Sequence, residues 1–480
     1  MYHKLKEEII LKEQQSSQKN VRPFSMKDKL GITLGDLGCC CTEQFRAMFL
    51  TVFYTLVLKV NPFHVGILML ITKIWDAIND PIIGALVDMR RSNKGGKFIP
   101  WIRAFSFPMA VLCVLGFINV GNWDYGFRIA YMFITYVLYE ALYTCVNVPF
   151  GSLSSVMTDD TKQRTALSRY RSMGGTIFMT VVVMIGPLVL YDNNNQPLPG
   201  RFLMMASICA LIGFLCLQVT CVWCKERVVL PVPEKKEKLH YFEIIKHVAK
   251  NKAFLGVMLF SFLGMVGASI VNGLNTYLFR DWFGDVKLMA VSGALNTLYA
   301  IIVFVITQPL ANKFGKKEWC VAGAGGAAIV FAFLFFFPIH NPIVFIIVNG
   351  ICFLGASGMQ VLVWALVNDA IDYQELQTGQ RNEGILYSAY SFFRKLANAV
   401  SGSFSSFALG IIGYQVSEAV QTTEVINRIW KTYTGSYVIG YGLAVLVLLF
   451  LYPLTKKKTQ EMLEQLKEKR AERAAQVENK

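Results

Sequence analysis

Lys73-Ile74-Trp75-Asp76-Ala77-Ile78-Asn79-Asp80-Pro81 puts two carboxylates four residues apart inside an apolar stretch, residues 64–89, that is long enough to cross a membrane. Residues i and i+4 share a helix face, so Asp76 and Asp80 are neighbours. An ionised side chain at the bilayer centre costs about 2.5–3.5 kcal/mol on insertion scales. Two like charges side by side in low dielectric also repel, so the pair needs a shared proton, a metal ion or a basic partner. Lys73, one turn before Asp76, is the basic candidate and would make the group a structural ion pair. The other reading is a cation-coupling site in a transporter.

The rest of the chain surrounds this stretch with more of the same kind. Of 480 residues, 54% are hydrophobic, too apolar for a soluble protein of this length. Apolar runs of about 20 residues, the length that spans a bilayer as a helix, recur. Twelve are read, at 30–59, 64–89, 101–120, 127–156, 170–191, 202–224, 253–279, 288–312, 319–338, 342–370, 383–413 and 434–453. The first follows a charged arm with no small-residue cleavage site, so no removable signal is expected. The expected fold is an all-α polytopic membrane protein with twelve transmembrane helices.

A net charge of +15 could suggest a nucleic-acid partner, but its distribution points elsewhere. Lys and Arg gather in the N-terminal arm, at Arg90, Arg91, Lys94 and Lys97, in the linker from Lys225 to Lys252, at Lys313, Lys316 and Lys317, and after Lys456. With alternating spans all of these fall on one side, while 61–64, 121–126 and 192–200 opposite them hold almost none. This is the positive-inside pattern, with both termini cytoplasmic, the bilayer as partner and no nucleic acid. The eleven cysteines fall in or beside the spans, where thiols behave as small apolar groups. Cys221-x-x-Cys224 has no second pair beside it to make a zinc or redox motif.

The longest polar interior stretch divides the spans six and six. The expected organisation is an N-terminal arm (1–28), a six-helix bundle (29–225), a linker (226–252), a second six-helix bundle (253–455) and a charged tail (456–480), read as a solvated helix or disordered. Val146-Asn147, acids at 159 and 160, Gln163-Arg164 and Tyr170 are echoed by Val367-Asn368, Asp369, Asp372, Gln380-Arg381 and Tyr387. Two parallel six-helix repeats joined by a cytoplasmic linker are the layout of the major facilitator fold.

The segment 74–81, followed by Gly95-Gly96-Lys97-Phe98-Ile99-Pro100-Trp101, resembles the helix 2–3 signature of the glycoside–pentoside–hexuronide cation symporters, the melibiose-permease-like family. Gly35-Asp36, Asn147-Val148-Pro149-Phe150, Asp369-Ala370-Ile371-Asp372-Tyr373 and Arg381-Asn382-Glu383-Gly384 through Lys395 extend the likeness in order over residues 28–455. The resemblance implies cation-coupled symport of a sugar or glycoside by alternating access, in the plasma membrane and as a monomer. It implies no cofactor; the coupling cation would be Na+ or H+, with Li+ also suited. It places the cation at Asp76, Asn79, Asp80 and Thr144, oxygen ligands that suit a hard ion.

For the sugar it implies Asp36, Cys40, Tyr143, Asn147, Arg171, Ser391 and Lys395, with Arg171 resting on a one-residue gap in the match. Where the family has acids that grip sugar hydroxyls, this chain has Cys40 and Asn147, and Gly151 replaces an aromatic. Loss of acids with retention of Arg171 and Lys395 suits an anionic sugar such as a uronide. Lys73, Asp88, Arg90, Asp369, Asp372 and Arg381 read as gating or structural charges, and Glu43 with Arg46 as a mutually neutralising i,i+3 pair. Asp80 has no evident partner in sequence, and Glu140, Thr144 and Asn147 form one stripe on the fourth helix.

Two rivals remain. An enzyme is disfavoured: all five histidines fall in loops or tails, and there is no Gly-x-Ser-x-Gly or P-loop motif. A channel or receptor is also disfavoured, because paired six-helix halves and a mid-membrane acid pair fit alternating access better than an open pore. The alternative left open is a passive sugar uniporter or exchanger, or a symporter of a non-sugar organic solute.

Overall fold

The computed structural model describes residues 22–89, 96–158, 160–228, 251–378, 383–418 and 420–478, apart from some side chains within the helices. The described residues are overwhelmingly helical. The helices are α1 (Met26–Val52), α2 (Pro62–Met89), α3 (Ile99–Leu115), α4 (Tyr125–Met157), α5 (Thr161–Leu190), α6 (Pro199–Trp223), α7 (Lys252–Tyr277), α8 (Leu288–Phe314), α9 (Lys316–Phe336), α10 (Pro342–Thr378), α11 (Glu383–Ile412), α12 (Thr423–Phe450) and α13 (Lys456–Glu478). Each of the twelve expected spans coincides with one of α1–α12. Among the described residues seven helices are long and apolar enough to cross a membrane, or eight if the bent α8 is one span. The others include the charged helices: α1 carries Asp36, Glu43 and Arg46, and α2 carries Lys73, Asp76 and Asp80.

The chain divides into two compact units, Met1–Glu237 and Lys238–Lys480. Within the first, α1 packs on α5 and α6, α3 on α4 and α6, and α2 on α4. Within the second, α7 packs on α11 and α12, α9 on α10 and α12, and α8 on α10. Adding six to each helix number converts one pattern into the other, so the repeat suggested by the sequence is a repeat of packing. Both units also end their first helix in a π-helical turn, Phe53–Val57 and Leu278–Trp282.

Small residues permit the closest approaches. A Cβ on Gly174 of α5 would lie 2.3 Å from the Thr33 carbonyl of α1. In the second unit a Cβ on Gly323 of α9 would lie 2.2 Å from the Gly355 carbonyl of α10. Such contacts let backbones approach where no hydrophobic driving force separates helix from lipid.

The helix ends are tied down by carboxylates. Asp28, in the first turn of α1, accepts the Ser25 N–H at 3.0 Å and is fully buried between Arg22 (2.8 Å) and Arg227 (3.0 Å). Glu226, just past α6, accepts the successive N–H groups of Lys97, Phe98 and Ile99 at 2.7, 2.8 and 2.9 Å. That cradle at the start of α3 follows Gly96, whose φ of +89° favours glycine. The charged tail is the helix α13, whose described side chains are mostly exposed, while an apolar stripe buries Met462 and Leu466.

Candidate functional site

The chemistry of the first unit collects where α2 faces α4. The α2 helix presents Lys73, Asp76 and Asp80 on one side, and the stripe Glu140–Thr144 of α4 meets it. The Thr144 hydroxyl donates to Asp80 Oδ1 at 3.1 Å. Asp80 is therefore partnered, contrary to its reading as a lone acid. Lys73 Nζ donates to Asp76 Oδ2 at 3.0 Å and lies 3.7 Å from Glu140 Oε2. The basic partner foreseen for Asp76 is in place, and it is shared with a second carboxylate from α4. Asp76 Oδ1 is buried and accepts no hydrogen bond, and Nδ2 of the buried Asn79 likewise has no partner.

This donor set fits a small hard cation: an open carboxylate oxygen, a second carboxylate one turn on, a hydroxyl and an amide. Among the described residues no three His, Cys, Asp or Glu side chains converge as a dedicated metal centre would require.

A second group joins α1 to α5. Asp36 Oδ2 accepts the Gly175 N–H at 2.8 Å, and Oδ1 accepts from Arg171 Nε at 3.3 Å. The Cys40 thiol lies 4.0 Å from Asp36 Oδ2, and the Arg171 guanidinium sits over the Phe150 ring at 5.0 Å. Asp36, Cys40 and Arg171 thus come together. A Cβ on Gly151 would lie 4.0 Å from Arg171 Nη1, and the Arg171 side chain is 36% exposed. Tyr143 is half-buried and stacked on Tyr139 with centroids 6.0 Å apart, and Asn147 is half-buried one turn on.

Arg46 departs from expectation. Its guanidinium makes no hydrogen bond; it lies over the Tyr139 ring at 3.6 Å and the Tyr136 ring at 4.9 Å. The i,i+3 spacing with Glu43 permits an ion pair, but two tyrosine faces from α4 offer a closer seat for a buried guanidinium. Glu43 Oε2 is left buried without a hydrogen bond.

In the second unit Asp369 of α10 is gripped by Lys316 Nζ at 2.7 and 2.8 Å, which ties α10 to the start of α9. Asp372 is half-buried one turn on. Ser391 and Lys395 lie on the backbone of α11, and Asp88 lies on α2; their side chains are outside the described residues. Arg90 and Arg381 fall outside the described residues altogether. The Cys221 and Cys224 thiols point to separate backbone carbonyls, Ile99 at 3.8 Å and Asp28 at 3.9 Å.

Sequence reasoning missed three features: the sharing of Lys73 with Glu140, the Asp36–Arg171 pair and the seating of Arg46. The signal available for the first was the polar stripe of α4, which marks a face but not its partner.

Comparison with known proteins agrees with this architecture. The family model "MFS/sugar transport protein" matches residues 31–456. The uncharacterized symporter YjmB of Bacillus subtilis (strain 168) is 32% identical over 93% of this chain and 96% of its own length. A glucuronide carrier protein homologue of Escherichia coli (strain K12) is 26% identical over 92% of this chain and 95% of its own. Among solved structures, a bacterial homologue of the human lysosomal transporter Spinster, inward-facing and unoccupied, superposes with a TM-score of 0.66 at 13% identity, covering 93% of this chain and 99% of its own; that likeness speaks to the fold alone. The chain is a multi-pass membrane transporter and not an enzyme. By its motifs, its packing and these matches, it belongs to the MFS/sugar transport protein family and, within the major facilitator superfamily, to the glycoside–pentoside–hexuronide symporters.

Proposed function

We propose that the chain carries a sugar or glycoside of the uronide class across the plasma membrane in symport with Na+ or H+, as a monomer with both termini cytoplasmic. The observation that carries the coupling is the open Oδ1 of Asp76 beside the Asp80–Thr144 pair, with Asn79 unpaired on the same helix. A cation there neutralises two neighbouring acids and joins α2 to α4. Sugar affinity then rises, and by linkage sugar tightens cation binding by the same factor. Alternating access between the two halves completes the cycle.

The anionic substrate is supported by Arg171. Its side chain is 36% exposed and engages Asp36 through Nε, which leaves its terminal nitrogens for a carboxylate. A relative named as a glucuronide carrier homologue points the same way.

One observation favours a second reading, a passive uniporter or exchanger: Lys73 already neutralises Asp76, so no imported ion is strictly needed. Uptake of a labelled glucuronide and of a neutral galactoside, under Na+ and pH gradients imposed separately, separates these readings. Symport predicts accumulation of the glucuronide driven by one gradient. Faster uptake of the galactoside rejects the uronide class, and indifference to both gradients rejects coupling.

A further inference from the structure

The lysine that sits in the candidate cation site is held from two sides. Lys73 Nζ lies 3.0 Å from Asp76 Oδ2 on its own helix and 3.7 Å from Glu140 Oε2 on α4. Glu140 is 4% exposed, whereas Lys73 and Asp76 keep 26% and 19% exposure. A buried carboxylate facing an ammonium across a helix interface is costly unless that ammonium serves it. Beside it, the Oε2 of Glu43 is buried and accepts no hydrogen bond, and Glu43 lies within electrostatic reach of both Lys73 and Glu140. The other nearby cation, Arg46, makes no hydrogen bond to either carboxylate and lies over the faces of Tyr136 and Tyr139. Lys73 thus stands between a buried carboxylate on α4 and an α2 carboxylate, Asp76, whose Oδ1 accepts no hydrogen bond.

We propose that Glu140 is a positioning residue that gives the Lys73 ammonium a second anchor, so that an arriving coupling cation takes Asp76 while Lys73 withdraws toward Glu140 and Glu43. The protein's own ammonium is then the competitor of the transported ion, and Glu140 sets how strongly it competes. With the ion absent, Lys73 holds Asp76. With the ion bound, Lys73 moves across the α2–α4 interface without leaving a carboxylate for solvent. This rests on the cation-coupled reading above.

The test measures the Na+ concentration, and separately the pH, that half-saturates glucuronide binding by the purified protein. Glu140→Gln leaves Lys73 with Asp76 as its main anchor, so the half-saturating concentration should rise about tenfold, equivalent to about 1.4 kcal/mol. Loss of a nearby negative charge would also weaken cation binding, but that effect would persist without the lysine. In a Lys73→Gln background the proposal requires the Glu140→Gln effect to vanish, a coupling that a double-mutant cycle reads directly. Glu140→Asp, which keeps the charge but retracts it, should give a smaller rise and serves if Glu140→Gln does not fold. An undiminished Glu140 effect in the Lys73→Gln background overturns the inference. So does a wild-type response that neither Glu140 variant alters. A wild type whose sugar binding ignores both Na+ and pH instead overturns the coupled reading itself, and this inference with it.

Discussion

The two units share one packing pattern and differ in which helices carry their charged residues. The first sets Asp36, Glu43, Arg46, Lys73, Asp76, Asp80, Glu140 and Arg171 on the faces of α1, α2, α4 and α5. The second has no charged residue from Ala253 to Tyr277 in α7, and the charges of α9 and α12 lie near their ends. It buries Arg280, Lys317, Asp369 and Glu375, and its core also holds a large aromatic stack: Trp282 stacks on Trp430 at 4.8 Å, and Trp430 meets Phe345 at 5.6 Å. The Trp430 indole N–H is satisfied by the Leu334 carbonyl at 2.9 Å, so the large ring is buried without an orphaned donor. The difference shows that the scaffold is set by small residues and helix contacts common to both halves. Charged residues occupy different helices in the two halves without altering the pattern, where paired carboxylates and bases can offset each other's desolvation.

The largest expected effect separates the halves by function. Asp76→Asn and Asp80→Asn should each abolish uphill sugar uptake while leaving exchange measurable in proteoliposomes. Unimpaired accumulation in both variants would place the coupling elsewhere. Next comes a stability effect confined to the second half. Trp430, 2% exposed, should cost about 3–5 kcal/mol when replaced by alanine, read as thermal unfolding in detergent. The half-saturating cation concentration should stay as in the wild type; a large change in it would show that the aromatic half also tunes the ion site.

The shared scaffold predicts equal behaviour for its glycines. Gly174→Ala and Gly323→Ala each push a Cβ into a facing carbonyl, at 2.3 and 2.2 Å, and should each cost about 1–3 kcal/mol. Gly126→Ala, with nothing within 4 Å, is the neutral control. A strong asymmetry between the first two would break the equivalence of the halves. The smallest effect concerns the carboxylate ties. Glu226→Gln keeps an acceptor but removes the charge assistance from three bonds at the start of α3 and should cost about 1 kcal/mol. Glu318→Gln touches one, to the Lys456 N–H at 2.9 Å, and should cost less. Both are read as melting temperatures, and a larger loss from Glu318→Gln would reverse the expected order.

Much of this was legible in the chain itself, for reasons that differ residue by residue. The helix around Asp76 could be read because hydropathy and length alone mark a bilayer span, and i,i+4 spacing marks its face. Thr144 and Glu140 could be assigned to one stripe by the same spacing. The seat of Arg46 could not be read, since the same spacing rule favours Glu43 and is overridden by tyrosines on another helix. The docking of α13 was likewise hidden, because two buried apolar residues, Met462 and Leu466, are a weak signal among many charges.

By itself the sequence determined the spans, their division into two halves, the family and the stock of side chains able to meet a cation and a sugar. All of these follow from local rules of period, length and motif. Only the tertiary structure decided which of those side chains meet: Thr144 with Asp80 across 64 residues, Arg171 with Asp36 across 135, and Lys73 between Asp76 and Glu140. Helical spacing orders neighbours within one turn. Partners on different helices are chosen by packing and by the cost of leaving a buried charge unmatched.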